Sequence, residues 1–386
     1  MKVALAHDYL REYGGAERVL EVLHEIFPDA PIYTFYVNLS LMGENGKRFK
    51  DLPAGRQGWD IRPSVFQKFP FANLLLSPFR IFGPLMFESF DLSEYDLVIS
   101  SSSATHLAKS VITKPETLHI SYIHTPPRFL YGYTTSFNYK KNIITRIGGE
   151  IINHFMRIYD FEVSQRPDIL IANSKNVQDR IKKFYRRDSA IIYPPVDVDK
   201  LYTAVHTLST NKRAYFLSVG RLVRGKGVDV IVEACAKLGL PLKVVGSGPE
   251  LERLQNLSDR KQNVEFLGQV NDEELVRLYA NAKATIVASE DEDFGIVPVE
   301  SMACGTPVIA PKSGGFLETV DQKTGKFFGD DRGQVTADSL VEALEGFKEG
   351  DFNAEDCKKQ AEKFSKERFK KELTDLIEKN LPVHHR

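Results

Sequence analysis

The chain is short of the features that announce many protein classes. Its 386 residues hold three cysteines, Cys235, Cys304 and Cys357, far apart and with no C-x-x-C pair. That excludes a disulfide framework or a Cys-built zinc site and fits a reducing compartment. Charge of one sign is also missing. Fifty-one Lys and Arg against fifty-two Asp and Glu give a formal net charge of −1, so no field over the whole protein draws it to nucleic acid. No run of about 18 uninterrupted apolar residues exists to span a bilayer. The opening MKVALAHDYL has too short an apolar stretch for a secretory signal, so a cytoplasmic location is expected. The full G-x-G-x-x-G fingerprint of dinucleotide cofactors is absent as well: Glu12–Arg18 reads EYGGAER and Leu242–Glu250 reads LKVVGSGPE.

What is present is an alternation. VALA (Val3–Ala6) reads as a buried strand, and Ala16, Val19, Leu20, Leu23, Ile26 and Phe27 recur at helical spacing after a Gly-Gly turn. DLVISSSS, LHISYIH and ILIANS follow as apolar runs ending in small polar residues, as in parallel strands that deliver loops to one edge. IIYPPVDVDK is a proline-marked exit, and the AVHTLSTNKRA stretch after it reads as polar and unpatterned. A second rhythm starts there, through YFLSVG, VIVEACAKLG, LKVVGSG, VEFLG, ATIVAS and TPVIA. The length exceeds one core. The expected class is therefore α/β with two doubly wound Rossmann-like domains, 1–200 and 201–363, and a charged helical tail, 364–386. Ligands of such sheets bind off the strands' carboxyl ends, so the site is expected in a cleft between domains.

Three stretches carry candidate chemistry. SVGRLVRGKGVDVI brings Arg221, Arg224 and Lys226 to a strand end beside glycines, a setting that suits a diphosphate; the bland alternative is a set of solvated loop cations. Gly14 and Gly15 lie between a strand and a helix start, where free N–H groups favour an anion, or where the chain simply turns. EDEDFGIVPVESMACGTPVIA sets four carboxylates, Glu290–Asp293, at a strand end and a fifth, Glu300, in an apolar run. Pro298 suits a first helical position, which would put Glu300 in the first turn as a dipole-complementing glutamate. Asp291-Glu292-Asp293 could instead ligate magnesium or manganese. A nucleotide-sugar explains more: Glu292 would accept from sugar hydroxyls, Glu300 from ribose, and Arg221 and Lys226 would neutralise the diphosphate without a metal.

Glu292 and Glu300 have seven residues between them, and EDFGIVPVESMACGTPV resembles the E-x7-E signature of glycosyltransferase family 4, whose members are retaining enzymes of the two-domain GT-B fold. HDYLREYGGAE, SYIHTPPRFLY, ANSKNVQDRIKKFY, IIYPPVD and SVGRLVRGKG agree in order. HTPPRFLY, IIYPPVD and EDFGIVPVE together are most similar to mannosyltransferases of bacterial O-antigen and exopolysaccharide synthesis. The resemblance implies that Gly14 and Gly15 lie by the donor phosphates and Arg221 and Lys226 bind them. Phe294, Gly295, Ile296 and Val297 line the donor, Glu292 holds the sugar and Glu300 the ribose. His124 stands near the reacting centre, with His7 a weaker candidate; a buried histidine satisfied by backbone is the bland alternative for His124. Asp293 replaces a glycine common in the broader signature. The resemblance further implies no cofactor beyond the donor, GDP-mannose by this reading, and a saccharide or lipid-linked saccharide acceptor. The tail, Phe364–Lys379 above all, is expected to cross back to the first domain.

Readings outside the transferase class are a non-hydrolysing nucleotide-sugar epimerase, a dinucleotide oxidoreductase and a non-catalytic sugar-nucleotide or glycan binder. Phe69–Phe90 (FPFANLLLSPFRIFGPLMFESF) is rich in large apolar residues, with Lys68 and Arg80 nearby. Core packing is its ordinary use, and peripheral contact with the inner membrane surface the alternative. The Leu52–Asp60 loop suggests no role.

Overall fold

The computed structural model describes residues 1–50, 58–70, 72, 80–103, 105–133, 143–206, 213–258, 263–329 and 334–381. Most of the Leu52–Asp60 loop, and Phe71 with 73–79 of the apolar segment, lie outside these. Two compact units divide the chain. The described residues up to Pro195, with those from Phe369 onward, form the first, and Val196–Arg368 the second.

The first unit holds seven strands: β1 Val3–His7, β2 Ile32–Thr34, β3 Ile61–Pro63, β4 Leu97–Ser103, β5 Leu118–Thr125, β6 Ile169–Ala172 and β7 Ala190–Ile191. All pair in parallel, in the order β3-β2-β1-β4-β5-β6-β7. The continuous apolar run of β1 up to His7 and that of β6 follow from burial on both faces of the sheet, Leu5 packing in one core cluster and Ala4 and Ala6 in another. Order reverses beside β1, between β1 and β4, which creates a crevice at their carboxyl ends. In that crevice His7 on β1 is in register with Ser101 on β4.

The second unit has six parallel strands: β8 Tyr215–Val219, β9 Leu242–Val245, β10 Val264–Gly268, β11 Ala282–Ile286, β12 Val308–Pro311 and β13 Gly325–Phe328. Their order is β10-β9-β8-β11-β12-β13, so its reversal falls between β8 and β11. The loops leaving those two strands carry RLVRGKG and the acidic stretch.

Three local expectations need correction. Of the AVHTLSTNKRA stretch, 207–212 lie outside the described residues, and Ala204–His206 are not unpatterned but close a helix, Val198–His206, that buries Val198 and packs Leu201, Ala204 and Val205 on the core of the second unit. The tail, 364–386, becomes helical only at Lys366, as the helix Lys366–Asn380, after Ser365 forms a parallel bridge with Val196; a separate helix, Ala354–Glu362, precedes it. Phe369, Leu373 and Ile377 of the last helix are buried in the first unit's core, with Leu20 and Ile120. Pro298, finally, is the third residue of its helix, Ile296–Ala303, not the first. Gly295 at φ +92° turns the chain into the helix two residues early, and Pro is accepted there because first-turn N–H groups have no intrahelical partner. Glu300 therefore sits fifth, past the first turn.

Glycines set how tightly the second unit's loops interlock. Gly227 has φ +64°, and a Cβ there would lie 2.1 Å from the Ala288 carbonyl oxygen. The N–H of Glu290 donates to the carbonyl of Gly225 at 3.2 Å, closing the same approach. Gly227→Ala combines a left-handed residue with a backbone clash and should cost roughly 2–4 kcal/mol in urea unfolding. A loss below about 0.5 kcal/mol would show that the loop can shift without consequence.

Candidate functional site

Four loops meet at the carboxyl edge of the second sheet. The loop after β8 (Gly220–Gly227) lies on the loop after β9, since a Cβ on Gly246 or Gly248 would strike the carbonyl oxygens of Gly220 or Leu222, at 1.8 and 2.2 Å. The acidic loop after β11 packs on the loop after β12. The Gly315 N–H donates to the Glu292 carbonyl at 2.9 Å, and a Cβ on Gly314 (φ +56°) would come within 2.6 Å of that same oxygen. The glycines around Lys226 thus serve first to bring protein backbone against protein backbone.

This interlocking delivers a cation to a carboxylate. Lys226 Nζ donates to Glu292 Oε2 at 2.8 Å, the two side chains half-buried. The sequence assigns the two to separate ligands; in the structure each is a partner of the other. Arg221 is exposed on the same loop. Phe294 is buried with its ring edge-on to Phe364, centroids 5.3 Å apart, so its backbone rather than its ring is available to a ligand. Ile296 and Val297 are half-buried and open the helix whose N-terminus meets this edge. Glu300 is buried and accepts from Tyr279 Oη at 3.1 Å. A carboxylate at that depth, outside the first turn, gains little from the helix dipole. The dipole explanation fails, and a polar partner is what Glu300 needs. Its neighbour Cys304 has its thiol pushed well up by burial and by Glu300, and is inert.

The first sheet carries a second cluster at its own switch point. Ser101 Oγ is 2.9 Å from His124 Nε2 and 3.2 Å from His7 Nδ1, and His7 Nε2 is 3.4 Å from Glu17 Oε1. All four residues are buried. Glu17 is the third residue of the helix Gly15–Ile26, and its other oxygen accepts the Gly14 N–H at 2.8 Å. Gly14 itself is extended, with φ −151°, and a Cβ would meet only Glu17 Oε2 at 3.5 Å, so the turn does not demand glycine at that position.

The donors order this chain. An ionised Glu17 only accepts, so His7 carries its proton on Nε2. In the order this sets, His7 accepts from the Ser101 hydroxyl through Nδ1 and Ser101 accepts from His124 Nε2–H. That leaves His124 with its lone pair on Nδ1. Burial, helped by His7, pushes the His124 pKa down to about 3, so the ring is neutral near pH 7. The backbone-satisfied histidine of the bland reading is not what the structure contains: side chains orient the ring. Glu17, Ser101 and Tyr279 escaped sequence reasoning. A Glu three residues past a helix cap was a readable signal for Glu17, whereas nothing in VISSSS singles out one serine.

Residues 204–364 match the family model "Glycosyl transferases group 1", so the chain carries a domain of that kind. An uncharacterized glycosyltransferase, MJ1178, of Methanocaldococcus jannaschii is 26% identical over 263 residues, 62% of this chain and 72% of that one. A D-inositol 3-phosphate glycosyltransferase of Corynebacterium urealyticum is 29% identical over 293 residues, 69% of this chain and 67% of that one. Among solved structures, sucrose-phosphate synthase of Thermosynechococcus elongatus superposes with TM-score 0.70 at 18% identity, covering 98% of this chain and 99% of the other. Anabaena HepE in complex with UDP and glucose gives 0.66 at 19%, with 98% and 99% covered. At such identities the structural likeness speaks to the fold alone: two Rossmann-like α/β domains, as in the GT-B glycosyltransferases.

The buried histidines have a measurable consequence. His124 and His119 both have native pKa values near 3, against about 6.5 unfolded. Between these values the unfolded chain binds protons that the native one refuses. Stability from these groups is full above about pH 6.5 and falls as pH drops, by up to about 1.4 kcal/mol per pH unit for each. Urea midpoints between pH 7.5 and 5 should fall accordingly, and His119→Gln should make the fall shallower by about one group's share; an unchanged slope would contradict the assignment.

Proposed function

We propose that the protein is a retaining glycosyltransferase that moves a hexose from a nucleoside diphosphate to an acceptor hydroxyl, with GDP-mannose as donor and a saccharide or lipid-linked saccharide of a cell-surface polysaccharide as acceptor. The observation that carries the reading is the Lys226–Glu292 pair at the switch point of the second sheet, with Glu300 buried eight residues on. The mannosyl assignment rests on the likeness of HTPPRFLY, IIYPPVD and EDFGIVPVE described above.

On this reading the pair is a placeholder. When donor enters, Lys226 turns from one anion to another, the diphosphate, and Glu292 exchanges its cation for neutral hydroxyl donors of the sugar. Opening a half-exposed pair of this kind costs about 0–1 kcal/mol, a small fraction of a sugar nucleotide's binding energy. Arg221 joins Lys226 on the phosphates, the backbone from Phe294 through Gly295 and Ile296 to Val297 lines the donor, and Glu300 accepts from the ribose with Tyr279 holding its other side. Gly14 and Gly15 approach the phosphates.

In the transfer, the bond from the anomeric carbon to the diphosphate oxygen breaks as the acceptor oxygen bonds to that carbon on the same face. The acceptor proton passes to the departing phosphate oxygen. Arg221 and Lys226 stabilise the charge that builds there, so no metal is required. His124, neutral and with Nδ1 open to accept, stands near the reacting centre, where it orients a hydroxyl without adding charge. Glu292 is occupied with hydroxyls and does not serve as a nucleophile on the far face.

The test is transfer from GDP-mannose to a mannose-terminated acceptor in EDTA, with the anomeric configuration read by proton NMR. Retention is expected. Arg221→Ala or Lys226→Ala should lower kcat by about 100-fold or more, in the range of a lost oxyanion donor. An inverted product, or near-wild-type turnover in both variants, would overturn the mechanism. Turnover of a UDP-hexose alone would move the donor assignment, and conversion of a UDP-sugar without acceptor would favour an epimerase.

A further inference from the structure

Exposed apolar side chains are shared unevenly between the units. Of the sixteen large hydrophobic residues exposed among the described residues, fourteen belong to the first unit and only Leu257 and Leu317 to the second. Scattered exposed leucines need no explanation, but a concentration on one unit does.

The concentration centres on the helix Ile143–Val163, whose described side chains begin at Arg146. Ile147, Ile151, Phe155 and Ile158 form one stripe along it, 56%, 57%, 65% and 48% exposed. The opposite face is buried and partly polar. It holds Asn153, Val163 and Asp160, which accepts from the buried Lys109 Nζ at 2.6 Å and from Tyr131 Oη at 2.7 Å. An ordinary surface helix of a soluble domain turns its apolar stripe inward. Tyr159 Oη donates to Glu88 Oε1 at 3.0 Å, so the helix Gly83–Glu88 lies alongside; it and the turn before it expose Ile81, Phe82 and Leu85. The apolar segment singled out by sequence is thus split, with Phe87 in the core and these three outside.

The charges that border the stripe say what covers it. Apart from the buried Asp160, the described part of the helix carries Arg146 and Arg157 against Glu150 and Glu162, so neither a cationic nor an anionic surface is favoured. Their placement decides. Glu150 and Arg157 are seven residues apart, about two helical turns, and so share one flank of the stripe, where Arg157 Nη1 lies 3.8 Å from Glu150 Oε2. A two-fold axis across the middle of the stripe reverses the helix and keeps each flank on its own side. Antiparallel pairing about that axis sets Ile147 opposite the second copy's Ile158, Ile151 opposite its Phe155 and Glu150 opposite its Arg157, each match occurring twice. A Cβ on the exposed Gly148 would meet nothing within 4 Å, so on the other flank no side chain holds the second helix off. We propose that the protein pairs with a second copy of itself through this face, Ile143–Val163 packing antiparallel on its two-fold mate. Pairing needs no donor and no turnover, so it stands or falls apart from the proposed transfer.

The experiment is sedimentation velocity of the full chain across about 1–100 µM, the range in which a modest interface exchanges between monomer and dimer. Wild type should move from monomer to dimer as concentration rises. Ile151→Ser with Phe155→Ser should weaken pairing about tenfold or more. Both side chains are exposed in the single chain, so the circular dichroism of that variant should match wild type. Charge reversal tests the register. Glu150→Arg alone, or Arg157→Glu alone, sets like charges against each other across the axis and should weaken pairing about tenfold. An equimolar mixture of those two variants should recover it, because each then meets opposite charges on the other. Mixing restores no pair within either chain, so an intrahelical role for Glu150 and Arg157 cannot give that recovery. Wild type that stays monomeric throughout, whether or not it pellets with phospholipid vesicles, would overturn the proposal. So would a dimer that the serine variant leaves unchanged, or a mixture no more dimeric than its components.

Discussion

The second unit's chemistry depends on how closely its loops approach one another. The left-handed Gly227 lies against the Ala288 carbonyl, and Gly314 and Gly315 lie against the backbone of Glu292–Phe294. With side chains at those points, the loops after β8, β11 and β12 could not share one sheet edge. Because they do, Lys226 reaches Glu292, the acidic loop passes directly into the helix Ile296–Ala303, and Glu300 ends up buried under Tyr279. The loops' glycines are therefore a structural requirement first. Any part they play beside a phosphate is additional.

Both units place polar clusters at the point where their strand order reverses, though the two clusters are built on different physics. The second unit's is charged and half-exposed, a cation and a carboxylate that can separate at small cost when something better arrives. The first unit's is buried, two histidines and a serine joined to one carboxylate. Glu17, anchored by the Gly14 N–H, orders the hydrogen bonds through His7 and Ser101 to His124 and holds the histidine in one tautomer. Such an arrangement suits a residue that must position a neutral hydroxyl rather than stabilise charge.

Much of this was legible in the sequence because parallel strands buried on both faces leave continuous apolar runs, and every strand named from such a run is present. IYT, IRP, AI and GKFF, of two to four residues each, are too short to stand out as runs. The E-x7-E spacing and the cations after β8 fall at one edge of one sheet, the carboxyl edge of the second. What stayed hidden depended on partners distant in sequence. Nothing near Glu292 shows that Lys226 neutralises it, and nothing in VRLYAN shows that Tyr279 donates to Glu300. Pro298 misled because a left-handed Gly295 can start a helix two residues before its proline. The helix Ile143–Val163 escaped notice because sequence pattern gives the apolar stripe of a helix but not which way it faces. Its buried side chains are Asn153, Asp160, which is paired with the buried Lys109, and Val163, while Ile147, Ile151, Ile152 and Ile158 are exposed.

The central claim is that the loop edge holding Lys226, Glu292 and Glu300 binds a nucleoside diphosphate sugar without a metal. Calorimetric titration in EDTA of GDP-mannose, UDP-glucose and NAD into wild type, Lys226→Ala and Glu300→Ala tests it most directly. The account predicts heat from a sugar nucleotide and none from NAD, with binding weakened about tenfold or more in both variants, the loss of one charge-assisted hydrogen bond each. Binding of NAD alone, or sugar-nucleotide binding that neither substitution changes, would contradict it.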